Sequence, residues 1–271
     1  MKNNTIISQN SMNLMVYFIL ACAVSWAIAI PLALTNQGMI QPVFPQWVHY
    51  FVSYGPMLSA LIVTWATQGA QGLKELWGRI TLWRVGGIWW LAALSPLVIG
   101  FVAVLAINLF TDNKISLSEL GLVPFLPPLG IGALFLWILT SGIGEEIGWR
   151  GYALPRLQKD HNALYSTLIL TLLWALWHLP LFFYLFDPAV APGWVFALYA
   201  GAIVFTWLSN STAGSIPIVA VFHGCFNYMT SANAGNGLLA TVVSMMVMVW
   251  AVVVVVVYRP KTLSSKGKFV V

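Results

Sequence analysis

Charge is what this chain has least of. Asp, Glu, Lys and Arg together make up 7% of its 271 residues, against about 25% in an ordinary soluble domain. Hydrophobic residues make up 60%. One soluble core of this length cannot hide so much apolar surface, so a soluble globular protein is excluded and the excess must face lipid. Cysteine is nearly absent as well. Cys22 and Cys225 lie inside apolar runs, far from metal-ligand spacing, which argues against a disulfide framework or a thiolate site and for two small buried hydrophobes. Internal repeats, low-complexity linkers and compositional breaks are missing too. Residues 1–271 therefore read as a single membrane domain.

What the chain does have is a succession of apolar runs. A hydrocarbon core of about 30 Å needs about 20 apolar residues of helix. The candidate spans are 14–34, 47–67, 88–110, 126–149, 164–185, 193–209, 213–230 and 238–258. The sixth and seventh are short and hold glycine, proline and polar residues. The first is preceded by one lysine, Lys2, and its apolar core exceeds the ~7–15 residues of a signal peptide, so it reads as a retained helix. The expected fold class is all-α: a polytopic integral membrane protein of about eight transmembrane helices around an intramembrane cavity.

Eight spans put both termini on one side. The tails and even-numbered loops then carry Lys2, Lys74, Arg79, Arg84, Arg150, Arg156, Lys159, Arg259, Lys261, Lys266 and Lys268, and the odd-numbered loops only Lys114. The basic side is expected to be cytoplasmic, in the plasma membrane. The net charge of +5 is thereby explained by topology, with the bilayer and not nucleic acid as partner. The 69–87 loop, basic and holding Trp77 and Trp83, reads as an interfacial helix. The tail Ser264–Val271 reads as disordered.

Polar groups inside hydrocarbon are costly and mark functional sites by default. Three clusters occur in three spans. The first, Ser141-Gly-Ile-Gly-Glu145-Glu146-Ile-Gly-Trp149-Arg150, ends the fourth span. Glu146 and Arg150 are four apart and can pair. Glu145 is turned about 100° away on a helix, free to face another neighbour. The glutamates could equally be hydrated at the membrane surface, and Gly142, Gly144 and Gly148 suit close helix packing. The second cluster is Trp174-Ala-Leu-Trp177-His178-Leu-Pro180, where Pro180 weakens the helix. The third is Phe222-His223-Gly-Cys-Phe-Asn227, with His223 and Asn227 on one face. Either histidine could be an ordinary hydrogen bonder between helices. His49 and His161 lack such companions. Together the clusters supply a carboxylate, two imidazoles and an amide. That is enough for a base that activates water and for donors to a developing oxyanion.

Glu145-Glu146-x-x-x-Arg150, Trp174-x-x-x-His178 and His223-x-x-x-Asn227, in this order, resemble the motifs of the CAAX-protease and bacteriocin-processing (Abi) family of intramembrane endopeptidases. The resemblance covers about residues 120–230, with Trp174 where the family usually has phenylalanine. It implies an all-helical intramembrane protease in which Glu145 activates water and His178 helps hold it. His223 and Asn227 would stabilise the oxyanion, with Glu146, Arg150 and Trp174 in support. The substrate would be a membrane protein or peptide: a prenylated CAAX protein, a leader peptide or a small immunity or signalling peptide. No metal is expected to be required. A Zn²⁺ ion, if present, could take His178, His223 and Glu145 or Glu146, although there is no His-Glu-x-x-His to favour it.

With these boundaries Glu145 lies near the cytoplasmic end of its span and His178 about 21 Å into the next. Either the fourth helix must run past Arg150 or the fifth must begin later. The cavity is expected to open toward the cytoplasmic half. Two other classes remain on the same residues: a proton-coupled transporter with a Glu–His relay, and a catalytically silent membrane scaffold.

Overall fold

The computed structural model describes residues 4–271, with side chains from residue 9 onward. Among the described residues every regular element is helical. The long segments are α1 (Asn4–Asn36), α2 (Tyr54–Ile80), α3 (Gly87–Phe110), α4 (132–160), α5 (Ala163–Trp177), α6 (Ala191–Ser211), α7 (Ile216–Thr230) and α8 (Leu238–Thr262). Lys2 lies outside the described residues.

Four stretches are long and apolar enough to cross a bilayer: Gln9–Asn36, Gly87–Phe110, Pro188–Ser211 and Leu238–Thr262. They are α1, α3, α6 with its leading turn, and α8. On α3 the side chains of Leu91, Val98, Val102, Leu105 and Leu109 are exposed, and on α8 those of Met245, Val249, Val252 and Val256. This helical spacing places large apolar groups on outward faces, as lipid contact requires. The expectation of eight spans is met only in part. α5 and α7 have 15 residues each, about 22 Å of helix, less than the hydrocarbon thickness. α2 and α4 are longer but polar in part.

The bundle has two ends, defined by contacts between connectors. At one end Asn10 donates to Arg156 O and Asp160, Ser215 donates to Leu82 O, and Asn210 donates to Thr262 O. At the other, Gln37 donates to Phe183 O, Tyr50 donates to Pro124 O, and Nδ1 of His49 lies 2.7 Å from the Tyr184 hydroxyl. The basic residues Lys74, Arg79, Arg84, Arg156, Lys159 and Arg259 stand toward the first end. Arg150 does not belong with the loop cations: it is fully buried in α4.

The basic end also holds the C-terminal tail, contrary to the expected disorder. Gln158 Nε2 donates to Phe269 O at 2.9 Å, Phe269 N donates to Asn210 Oδ1 at 3.0 Å, and Lys268 Nζ donates to His161 O at 2.8 Å. Ser264 is buried. A polar composition made the tail look unstructured; backbone groups pairing with buried amides hold it. The 69–87 segment is set off by Gly69, whose φ of +62° and ψ of −155° break α2 in a conformation glycine adopts without steric cost. Trp77 and Trp83 beyond the break are exposed.

α4 positions the site. It runs unbroken from Gly132 to Asp160 but widens to π-helix over Ile138–Glu145 and Trp149–Ala153. Such turns are rare and concentrate at functional sites. The glycines let it pass close to its neighbours. A Cβ on Gly142 would lie 2.5 Å from Ala220 O of α7, and one on Gly144 would lie 2.6 Å from Ser53 O. α4 is therefore wedged between α2 and α7, with its acidic pair turned into the interior.

Candidate active site

Glu146 and Arg150 pair as their spacing predicts. Arg150 Nη1 lies 2.9 Å from Oε1 and 3.0 Å from Oε2 of Glu146, with both residues completely buried. The guanidinium also lies over two rings, 4.6 Å from the centroid of Trp174 and 4.4 Å from that of Phe205, a second favourable environment for a desolvated cation. Glu146 has a further partner that its spacing does not reveal. His223 Nδ1 is 2.9 Å from Glu146 Oε1. An ionised carboxylate only accepts, so Nδ1 carries the proton.

Glu145 has separate partners. The indole N–H of Trp174 donates to its Oε2 at 2.8 Å and the hydroxyl of Ser53 to its Oε1 at 3.3 Å. It is 4% exposed, so a hydrated surface location is excluded. The expected division therefore appears in the contacts: Glu146 is committed to a cation and an imidazole, while Glu145 meets only neutral donors.

His178 caps the C-terminus of α5, where the chain leaves the α-helix for a 3₁₀ turn over Leu179–Phe183 containing Pro180. Its Nδ1 lies 2.7 Å from Trp174 O. A carbonyl cannot donate, so Nδ1–H is the donor and Nε2 is left as an acceptor. The rings of Trp177 and Trp194 stand edge-on to it, at 4.7 and 4.9 Å between centroids. Trp174 stands edge-on to His223 at 5.7 Å between centroids, and Phe205 lies tilted against it at 5.2 Å.

Glu145, His178, His223 and Asn227 all line one cavity of about 450 Å³. The mismatch in depth disappears because α4 continues to Asp160. Glu145 and His178 then lie equally far, roughly 20 Å by helical rise, from the basic end. The position of the cavity differs from expectation. Its wall includes His49, Pro124, Phe186, Trp194 and Ser231, all from the connectors and helix starts opposite the basic end. The cavity therefore lies in the half away from the Lys- and Arg-rich loops. Boundaries that stopped α4 at Trp149 had put Glu145 at the wrong depth.

Sequence reasoning gave no role to several polar residues of the cavity, among them His49, Ser53 and Ser141. His49, set aside for want of neighbours, lines the wall and meets Tyr184 from a connector 135 positions away. An imidazole beginning an apolar run was the available signal. Ser53 and Ser141 also line it and carried no signal, since isolated serines are common in membrane helices. His161 lies outside the cavity, edge-on to Tyr165 at the basic end.

Among the described residues no three His, Cys, Asp or Glu side chains are grouped so as to hold a metal ion together. The set His178, His223 and a glutamate is not grouped to hold one in this arrangement.

Comparison with known proteins bears on the same region. Residues 127–229 match the family model described as type II CAAX prenyl endopeptidase Rce1-like. The matched segment begins before α4 and ends in α7, so it contains all three motifs. A curated protein of Methanococcus maripaludis, CAAX prenyl protease 2, is 30% identical over 106 residues, which cover 36% of this chain and 39% of that protein. The similarity is thus to well under half of the relative's length. Over residues 127–229 the chain is therefore similar to the type II CAAX prenyl endopeptidase Rce1-like family, as its three motifs suggest.

Proposed function

We propose that the chain is an intramembrane endopeptidase that hydrolyses a peptide bond of a membrane-associated protein or small peptide. The observation that carries this reading is that the carboxylate of Glu145, free of any cationic partner in hydrogen-bond contact, shares one buried cavity with His178, His223 and Asn227. The Rce1-like match over the same residues supports a protease.

In this mechanism Trp174 and Ser53 orient the Glu145 carboxylate. It takes a proton from water while His178 Nε2 accepts the other O–H of that water. The oxygen attacks the carbonyl carbon of the scissile bond. The resulting oxyanion accepts hydrogen bonds from the Asn227 amide and from Nε2–H of His223 in its imidazolium form, for which Glu146 is the counter-ion. Donors of this kind contribute the largest part of the barrier reduction in acyl transfer. With His223 charged, Glu145, Glu146, Arg150 and His223 sum to zero, which suits a buried cluster. Glu145 then passes its proton to the leaving nitrogen and the C–N bond breaks. The chain would work in the plasma membrane with both termini cytoplasmic, its partners being the bilayer and its substrate.

The test is peptidomics of membranes holding wild-type or Glu145→Gln protein at matched levels. Peptide termini present only with the wild type are expected. Identical peptide sets would remove the protease reading in favour of a scaffold or transporter.

A further inference from the structure

The two ends of the bundle differ in charge and in packing, and both differences concern how a substrate reaches Glu145. The basic end carries Lys74, Arg79, Arg84, Arg156, Lys159 and Arg259 among others. The connectors of the cavity end (37–53, 111–131, 178–190 and 231–237) carry one lysine, Lys114, against Asp112, Glu119 and Asp187, a net of +1 − 3 = −2. Loops rich in lysine and arginine stay in the cytoplasm. Between Glu145 and the basic end, α4 is sealed: Trp149, Arg150, Tyr152 and Leu154 are all 0% exposed. A polypeptide approaching from that end would have to unpack the Glu146–Arg150 pair before meeting the carboxylate. On the other side, the cavity wall reaches the connectors at His49, Pro124, Phe186 and Ser231.

We propose that the cavity opens on the non-cytoplasmic face and takes an apolar, uncharged stretch of a translocated or membrane-embedded polypeptide from that side. This rests on the protease reading above and adds the side and the substrate class. The lining supports the class: Trp137, Trp177, Trp194 and Phe226 form much of it, and no lysine or arginine takes part. A free C-terminal carboxylate finds no such cation in the cavity, whereas an internal bond of an apolar segment needs none. Cytosolic prenylated C-termini face the sealed end.

Thiol labelling of the full-length protein in intact cells tests the side without reference to activity. Cys22 and Cys225 are buried, so the wild type serves as the blank. Asn233→Cys, exposed at the cavity end, and Ser231→Cys, at the cavity wall, are expected to react with a membrane-impermeant maleimide. Ser265→Cys, exposed in the tail, is expected to react only after permeabilisation. Labelling of Ser265→Cys in intact cells, or of Ser231→Cys only in permeabilised ones, would overturn the proposal. The peptidomic comparison separates the two readings. Glu145-dependent termini within translocated or membrane-embedded segments support both. Termini at the C-termini of cytosolic proteins leave proteolysis standing and overturn the side. If no Glu145-dependent terminus exists, the protease reading falls and takes the substrate class with it, while the labelling still decides which face the cavity opens on.

Discussion

The indole of Trp174 donates to Oε2 of Glu145 across 2.8 Å, joining α5 to α4 at the carboxylate proposed as the base. A phenylalanine at this place would keep the ring beside Arg150 and lose the donor. The tryptophan thus does more than preserve an aromatic.

Trp174→Phe is expected to leave the fold intact and lower Glu145-dependent cleavage. A hydrogen bond to a charged group contributes about 1.5–3 kcal/mol, so a loss of about tenfold or more follows. Quantitative peptidomics beside a thermal melt of the purified protein checks this. An unchanged cleavage rate would mean that Ser53 and the surrounding packing suffice to orient Glu145.

Arg150→Ala removes the cation from a carboxylate that is completely buried. Leaving a buried charge without its partner costs about 3–5 kcal/mol. The variant should melt well below the wild type or fail to accumulate as a monodisperse species in detergent. Arg150→Lys keeps the charge without the planar guanidinium stacked on Trp174 and Phe205, and should fall between the two.

Gly142→Ala places a methyl 2.5 Å from Ala220 O, and overpacking of this kind costs about 1–3 kcal/mol. Gly78→Ala is the internal control. Gly78 is helical, exposed and has nothing within 4 Å of an added Cβ, so the change should stabilise by about 0.5–1 kcal/mol. Opposite shifts in melting temperature are expected from the same substitution at the two sites.

Removal of residues 264–271 deprives Gln158 and Asn210 of their contacts with Phe269. At about 1 kcal/mol for each hydrogen bond lost, the melting temperature should fall by about 5 °C. A tail without structure would be removed at no cost in stability.

Chelation is expected to leave Glu145-dependent cleavage within about twofold of its untreated value, because no three metal-binding side chains are grouped among the described residues. Abolition by a chelator, with recovery on adding Zn²⁺, would require a rearranged site.

Several features of this protein were determined by sequence alone. The scarcity of charge forces most of the surface into lipid, and helical spacing makes Glu146 and Arg150 partners while turning Glu145 elsewhere. The three motifs carry the family resemblance because each is a local pattern, read within a few residues. What only the tertiary structure decided are relations between distant segments. They include the donation of Trp174 to Glu145, the sharing of Glu146 between Arg150 and His223, the entry of His49 into the cavity wall, and the docking of the tail on Gln158. None has a signature in spacing, since the partners lie from 29 to 135 positions apart. The end of the bundle at which the cavity lies also had to come from packing. It depends on α4 continuing past Arg150 to Asp160, and glutamates that end an apolar run in sequence can be buried at mid-helix once Arg150 of the same helix and hydrogen-bond donors of neighbouring segments partner them.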